Sequence, residues 1–318
     1  MELKPRLPRH REAFYHSSDF RPIEEFHDLK VRPPIVYHRA TGFKSVHLAS
    51  FDAVREILPS NDLHPLRWLD GRAMLGVMAF CYEHVSVEMA DGTIRMLAPY
   101  GEIGVTALVS RRPSRVPGLG LLQAAVGSAH GFILDLPVTT AEALDAGRQI
   151  WGMPKFVADM DFTEEPDHRS VKLWEEDAHI LTLKVRTGGP VIADHAPLTT
   201  YSVLHGQLVE TTIRFHGHRQ AGLGANAGRI TLGQQHPVAH RLRALDVADT
   251  PLVAASYLSA RLALPAGLPT GAAREYVGHL GRDRERGRLT LTYPGAGPID
   301  LYSAPGGIRQ KANLGLQP

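Results

Sequence analysis

The run Ala146-Gly147-Arg148-Gln149-Ile150-Trp151-Gly152-Met153-Pro154-Lys155-Phe156 sets one lysine among apolar residues at a break in regular structure. Trp151, Met153, Phe156 and Met160 surround it in sequence. Desolvation penalises an ammonium more than an amine, so a lysine in such surroundings loses its charge readily. A neutral amine adds to a carbonyl carbon and forms a Schiff base. The competing reading is a surface lysine at a strand entry, its stem lying over an aromatic ring. Lysine is scarce here: only Lys4, Lys30, Lys44, Lys155, Lys172, Lys184 and Lys311 occur among 35 basic residues. Each lysine in apolar surroundings therefore carries weight.

Local signals place this lysine. Thr139-Thr140-Ala141-Glu142 is a capping box and predicts a helix through Ala146 to about Ile150. Gly152 suits the helix C-terminus, and Pro154 prevents continuation. Phe156, Ala158, Met160 and Phe162 then alternate, which predicts a strand. Lys155 stands just past a helix end and at a strand start.

Elsewhere short strands dominate. Residues 33–48 predict two strands about a turn at Thr41-Gly42. Residues 51–58 predict a helix capped by Ser50 and stopped by Pro59. Strands are predicted over 73–86 and 103–110, with a hairpin turn at Asp91-Gly92 between them. Residues 170–174 and 179–186 predict a hairpin, 208–215 a strand and 237–245 a helix. The charge run 282–288 reads as a solvated loop, and 288–293 and 299–302 as late strands. Many strands, few helices and no regular alternation give an α+β, mostly β fold with a closed or strongly bent sheet. The expected division is a polar arm over 1–32, a barrel domain over 33–265, and a C-terminal extension over 266–318 ending in a loose tail.

The Gly-Arg-x-x-x-Gly-x-Pro-Lys pattern at 147–155 resembles the active-site segment of the acetoacetate decarboxylase family. Tyr37-His38-Arg39, the Phe51 to Pro59 segment, Tyr100-Gly101-Glu102 and Gly297-Pro298-Ile299-Asp300-Leu301 resemble further family segments in the same order. The resemblance implies a cone-shaped antiparallel β-barrel with a buried lysine at its centre, and a homo-oligomer. It implies Lys155 as the Schiff-base nucleophile, Arg39 as the cation for a substrate carboxylate, and Glu102 and Glu88 as acids near the amine. Trp151, Met153 and Phe156 are expected to line the substrate site. Two departures stand out: Phe156 follows Lys155 where the founding decarboxylase has a second lysine, and Gly76 stands where an acid is expected.

Other classes are poorly supported. A net charge of +2, from 35 basic and 33 acidic residues, leaves no electrostatic footprint for nucleic acid or an anionic membrane. The most apolar stretch, 116–138, contains Gln123, His130 and Asp135 and is too interrupted for a bilayer span. The N-terminus runs into polar sequence, so a cytoplasmic location is expected. One cysteine, Cys81, permits neither an intrachain disulfide nor a thiolate metal cluster and reads as a core residue. Gly222, Gly224 and Gly228 do not join a strand to a helix, so they read as a loop and not as a dinucleotide site. His216 and His218 could share one strand face toward a metal, but spacing fixes no third ligand. His236 and His240 sit four apart, but Pro237 marks a helix start and no glutamate completes a metalloprotease motif, so helix-start and surface roles are expected. No metal or organic cofactor is therefore expected. The leading expectation is a lyase that decarboxylates a β-keto acid through a Lys155 iminium. The alternatives are aldolase, dehydratase or cyclase chemistry on an α-keto acid, or a ligand-binding barrel without turnover.

Overall fold

The computed structural model describes residues 31–113 and 130–302. Residues 1–30 of the arm expected over 1–32 lie outside them, as does the tail from 303, whereas Val31 and Arg32 already belong to the first strand. Strand β1 (Val31–Ala49) leads through helix α1 (Phe51–Ile57) and β2 (His64–Pro65) to β3 (Ala73–Met89), β4 (Ile94–Leu97), β5 (Tyr100–Ser110) and β6 (His130–Asp135). Helix α2 (Ala141–Trp151) precedes the meander β7 (Asp159–Glu164), β8 (His168–Glu175) and β9 (Ala178–Arg186). Next come β10 (Ile192–Asp194), β11 (Leu198–Leu204), β12 (Gln207–Leu223) and β13 (Gly228–Leu232). Helix α3 (Pro237–Ala244) and β14 (Pro251–Leu264) follow, then β15 (Leu268–Ala272), β16 (Leu289–Thr292) and β17 (Ile299–Asp300).

Strands β5-β6-β11-β12-β14-β1-β3 pair in that order, and β3 pairs back with β5, so the sheet closes. All of these pairings are antiparallel except β6 with β11. A second sheet runs β13-β9-β8-β7-β16-β17. The two faces of the barrel wall carry different cores. Tyr37, Phe80, Tyr82, Tyr100, Phe215, Tyr257 and Leu262 fill the inner face, where Ile150 and Trp151 of α2 join them. Val77, Ala79, Cys81, Ile103 and Val105 face outward from β3 and β5 and pack with Phe162, Val171 and Leu183 of the second sheet. Both faces of β3 and β5 are buried, so their sequences read as almost unbroken apolar runs.

Residues 33–48 are one strand, not two about a turn. Gly42 sits mid-strand, opposite Phe80 on one side and Tyr257 on the other. A Cβ there would overlap the Ala79 carbonyl and the Phe80 ring, so this glycine permits close strand approach and does not make a turn. The Ser50 cap forms as expected, but the box at 139–142 is shifted by one residue: Thr140 is the cap, while Thr139 Oγ1 accepts from the Gly101 N–H. Ser50 caps α1, Thr140 caps α2 by accepting from the Ala143 N–H, and His236 caps α3. Gly152 ends α2 in the left-handed region at φ 63°.

The segment beyond residue 265 does not stand apart. β15 pairs with β12 of the barrel, and β16 pairs in parallel with β7. The charge run is not a free solvated loop either, because Arg284 pairs with Asp159 at 2.9 Å and Arg288 with Asp161 at 3.0 Å.

Candidate active site

Lys155 is 3% exposed. Three short extended segments bring it to the inner face of the barrel. Glu102 of β5 is bridged to Val138, and Val138 to Val157. Lys155 thereby lies two segments from Glu102, and its Nζ donates to Glu102 Oε2 at 2.7 Å. The carboxylate is equally enclosed, at 7% exposure. Its other oxygen accepts from the Tyr82 hydroxyl at 3.1 Å. Tyr100 donates to Tyr37 at 3.0 Å beside this pair. Burial, and then the negative charge of Glu102, push the Tyr37 and Tyr82 phenols above their ordinary range. Burial also raises Tyr100, with Tyr37 and Glu102 adding to it. All three phenols therefore stay protonated: Tyr82 donates to Glu102, and Tyr100 donates to Tyr37.

The motif around Lys155 works through its backbone. A Cβ at Gly147 would overlap Cδ and Cε of Lys155, so the lysine stem crosses α2 through the space a side chain would fill. Arg148 Nε donates to the Lys155 carbonyl at 2.8 Å, and its terminal nitrogen to the Leu280 carbonyl at 2.7 Å. One guanidinium fork thus ties the lysine backbone to the C-terminal segment. Trp151 and Met153 are buried in the inner cluster, and the Trp151 indole donates to the Pro265 carbonyl at 2.8 Å.

Three expected site residues lie elsewhere. Arg39 is on the outer surface, half exposed, and pairs with Glu83 at 3.0 Å. Register shifts flank it between Tyr37 and Ala40, so the inward alternation skips both His38 and Arg39. It lines an outer pocket of about 310 Å³ with His38, His195, His216, His218 and Arg261. Glu88 lies near the end of β3, beyond the stretch that pairs with β5, in an exposed pair with Arg32 at 3.5 Å. Phe156 points away from Lys155, as neighbours in extended chain must. It packs in the outer cluster, with its ring 4.7 Å from that of His279. Tyr82, absent from the sequence-based set, is the residue that completes the Glu102 contacts.

Behind Phe156 lies a second cluster, Glu175, His236 and His279, whose ligand atoms converge within 4.8 Å. Both histidine Nε2 atoms lie 2.8 Å from Glu175 Oε2. The Nδ1 of His236 accepts the Val238 N–H at 3.2 Å, which puts the ring proton on Nε2, facing Glu175. A metal-bound histidine instead donates from its second nitrogen. The donor set therefore fits a hydrogen-bonded lock better than a metal site.

Comparisons place this geometry among known proteins. The sequence model described as acetoacetate decarboxylase matches residues 23–270. No curated protein matches the chain. The crystal structure of acetoacetate decarboxylase from Legionella pneumophila is similar at a TM-score of 0.55 and 15% identity, covering 85% of this chain and 99% of that one. Another acetoacetate decarboxylase structure gives 0.53 at 16% identity, covering 76% and 91%. The enduracididine biosynthesis enzyme MppR, complexed with pyruvate, gives 0.52 at 13% identity, covering 74% and 90%. Mostly-β architecture, closed barrel and a family match across most of the sequence agree: the chain belongs to the acetoacetate decarboxylase family.

Proposed function

We propose that this protein is a Schiff-base enzyme that decarboxylates a β-keto acid through an iminium on Lys155. The observation that carries this reading is the enclosed 2.7 Å contact between Lys155 Nζ and Glu102. Glu102 takes a proton from the ammonium, and the free amine attacks the substrate carbonyl carbon. The carbinolamine regains that proton on its hydroxyl and loses water, leaving the iminium. The bond to the carboxylate carbon then breaks. Its electron pair moves to the iminium nitrogen, CO2 departs, and an enamine remains. Protonation of the enamine carbon and hydrolysis release the ketone and restore Lys155. Tyr82 holds Glu102 in place throughout.

A second reading is condensation or dehydration of an α-keto acid by the same iminium. It is favoured by Phe156 in the position after Lys155 and by a fold neighbour complexed with pyruvate. Product analysis separates the two. Acetoacetate should release CO2 and acetone with the wild type and not with Lys155→Ala. Carbon–carbon bond formation from an α-keto acid and an aldehyde, without CO2 release from acetoacetate, would replace the first reading with the second.

A further inference from the structure

The barrel's inner face carries two further cations. Cross-strand partners trace one row around the wall: Arg219 opposite Tyr257, Tyr257 opposite Gly42, Gly42 opposite Phe80, and Phe80 opposite Glu102. Directly opposed residues project to the same face of a sheet, so Arg219 shares the inner face with Glu102. Lys44 stands two residues from Gly42 on the same strand and therefore on the same face. Lys44 Nζ lies 5.1 Å over the Tyr257 ring and 3.6 Å from Asp194 Oδ2. Arg219 Nε lies 3.1 Å from that same oxygen, and the Tyr257 hydroxyl donates to it at 2.7 Å.

Two cations share one carboxylate here, so the cluster keeps a net positive charge. Arg219 Nε is buried and makes no hydrogen bond despite its closeness to Asp194. The side chains of Lys44 and Arg219 are 35% and 28% exposed, so solvent reaches this end of the inner face. Burial lowers the pKa of Lys44, while Asp194 opposes the shift. A second carboxylate would relieve that cost. Arg39, on the outer face, cannot serve the interior in this way.

We propose that Lys44 and Arg219 form the carboxylate subsite of the barrel, receiving the anionic end of a keto acid whose carbonyl faces Lys155. The inference rests on the Schiff-base reading of Lys155. Asp194 and Tyr257 position the two cations. Anionic keto acids are selected over neutral ketones of similar size.

The test compares levulinate, an anionic keto acid, with acetone as a neutral ketone. Each is trapped on the full-length protein with borohydride, and adduct is measured against ligand concentration. Lys44→Met and Arg219→Gln should each raise the half-saturating levulinate concentration about tenfold, the loss typical of one charge-assisted hydrogen bond, and leave acetone unchanged. Equal effects on both ligands, or on neither, overturn the subsite. Calorimetric binding of levulinate that these substitutions weaken, without any trapping, keeps the subsite and removes the amine chemistry. Neither binding nor trapping overturns both.

Discussion

At the scale of single residues, the account turns on how Lys155 and Glu102 are enclosed together. Removing one partner strands the other charge in the barrel. Lys155→Ala is therefore expected to abolish turnover and also to lower stability by about 3–5 kcal/mol, the usual loss when a buried pair is broken. The double variant Lys155→Met/Glu102→Gln should regain most of the stability and none of the activity. Urea unfolding of the three proteins checks this, and equal stability of the single variant and wild type would contradict it. Gly147 gives a second test. Alanine in a helix interior is normally favoured over glycine by about 1 kcal/mol. Here a Cβ would displace the lysine stem from its buried contact with Glu102, so Gly147→Ala should lose at least about a hundredfold in turnover and also lose stability, despite alanine's better helix propensity. Retained turnover would mean that the stem does not need its place across α2.

At the scale of elements, the C-terminal segment braces the lysine strand from behind. Glu175 accepts from His236 at the start of α3, from His279, and from the Arg282 N–H. Burial alone would raise the Glu175 carboxyl. The hydrogen bonds from His236 and His279, the charge of His279 and the Arg282 N–H outweigh burial and hold it well below the usual carboxylate range. A depressed carboxylate stabilises the fold above its unfolded pKa, and that stability is lost as pH falls toward its folded value. Wild type should therefore lose more stability than Glu175→Gln on acidification below about pH 4.5, the ordinary value for a glutamate. A stability gap between the two proteins that stays constant from pH 7 to about pH 3 would contradict the lock. What the sequence could reveal follows the same division. Caps, the left-handed Gly152 and the proline stop are local, so α2 and the placement of Lys155 were readable. Tyr82 was not, because alternation tells which residues share a face but not which strands meet. Arg39 was misplaced because a bulge cannot be seen in a single strand. The arginines of 282–288 read as solvated because their partners Asp159 and Asp161 lie more than a hundred residues earlier.

At the scale of the whole molecule, a closed barrel makes one enclosed face from seven strands that are scattered along the chain. Fold class and barrel were legible from strand density and the 147–155 motif. Which polar groups the inner face collects was not, since each depends on long-range register. Tyr82 meets Glu102 only when β3 and β5 pair, and Lys44 meets Arg219 at Asp194 only when β1, β12 and β14 pair. The central claim is that the lysine inside this face forms a covalent iminium with a keto acid. The most direct measurement is peptide mass spectrometry of the protein incubated with acetoacetate and borohydride. The account predicts a single reduced adduct on the peptide that contains Lys155, and none in Lys155→Ala or when borohydride is omitted. An adduct spread over the exposed Lys172 and Lys184, or no adduct on Lys155 under conditions where substrate is consumed, would contradict it.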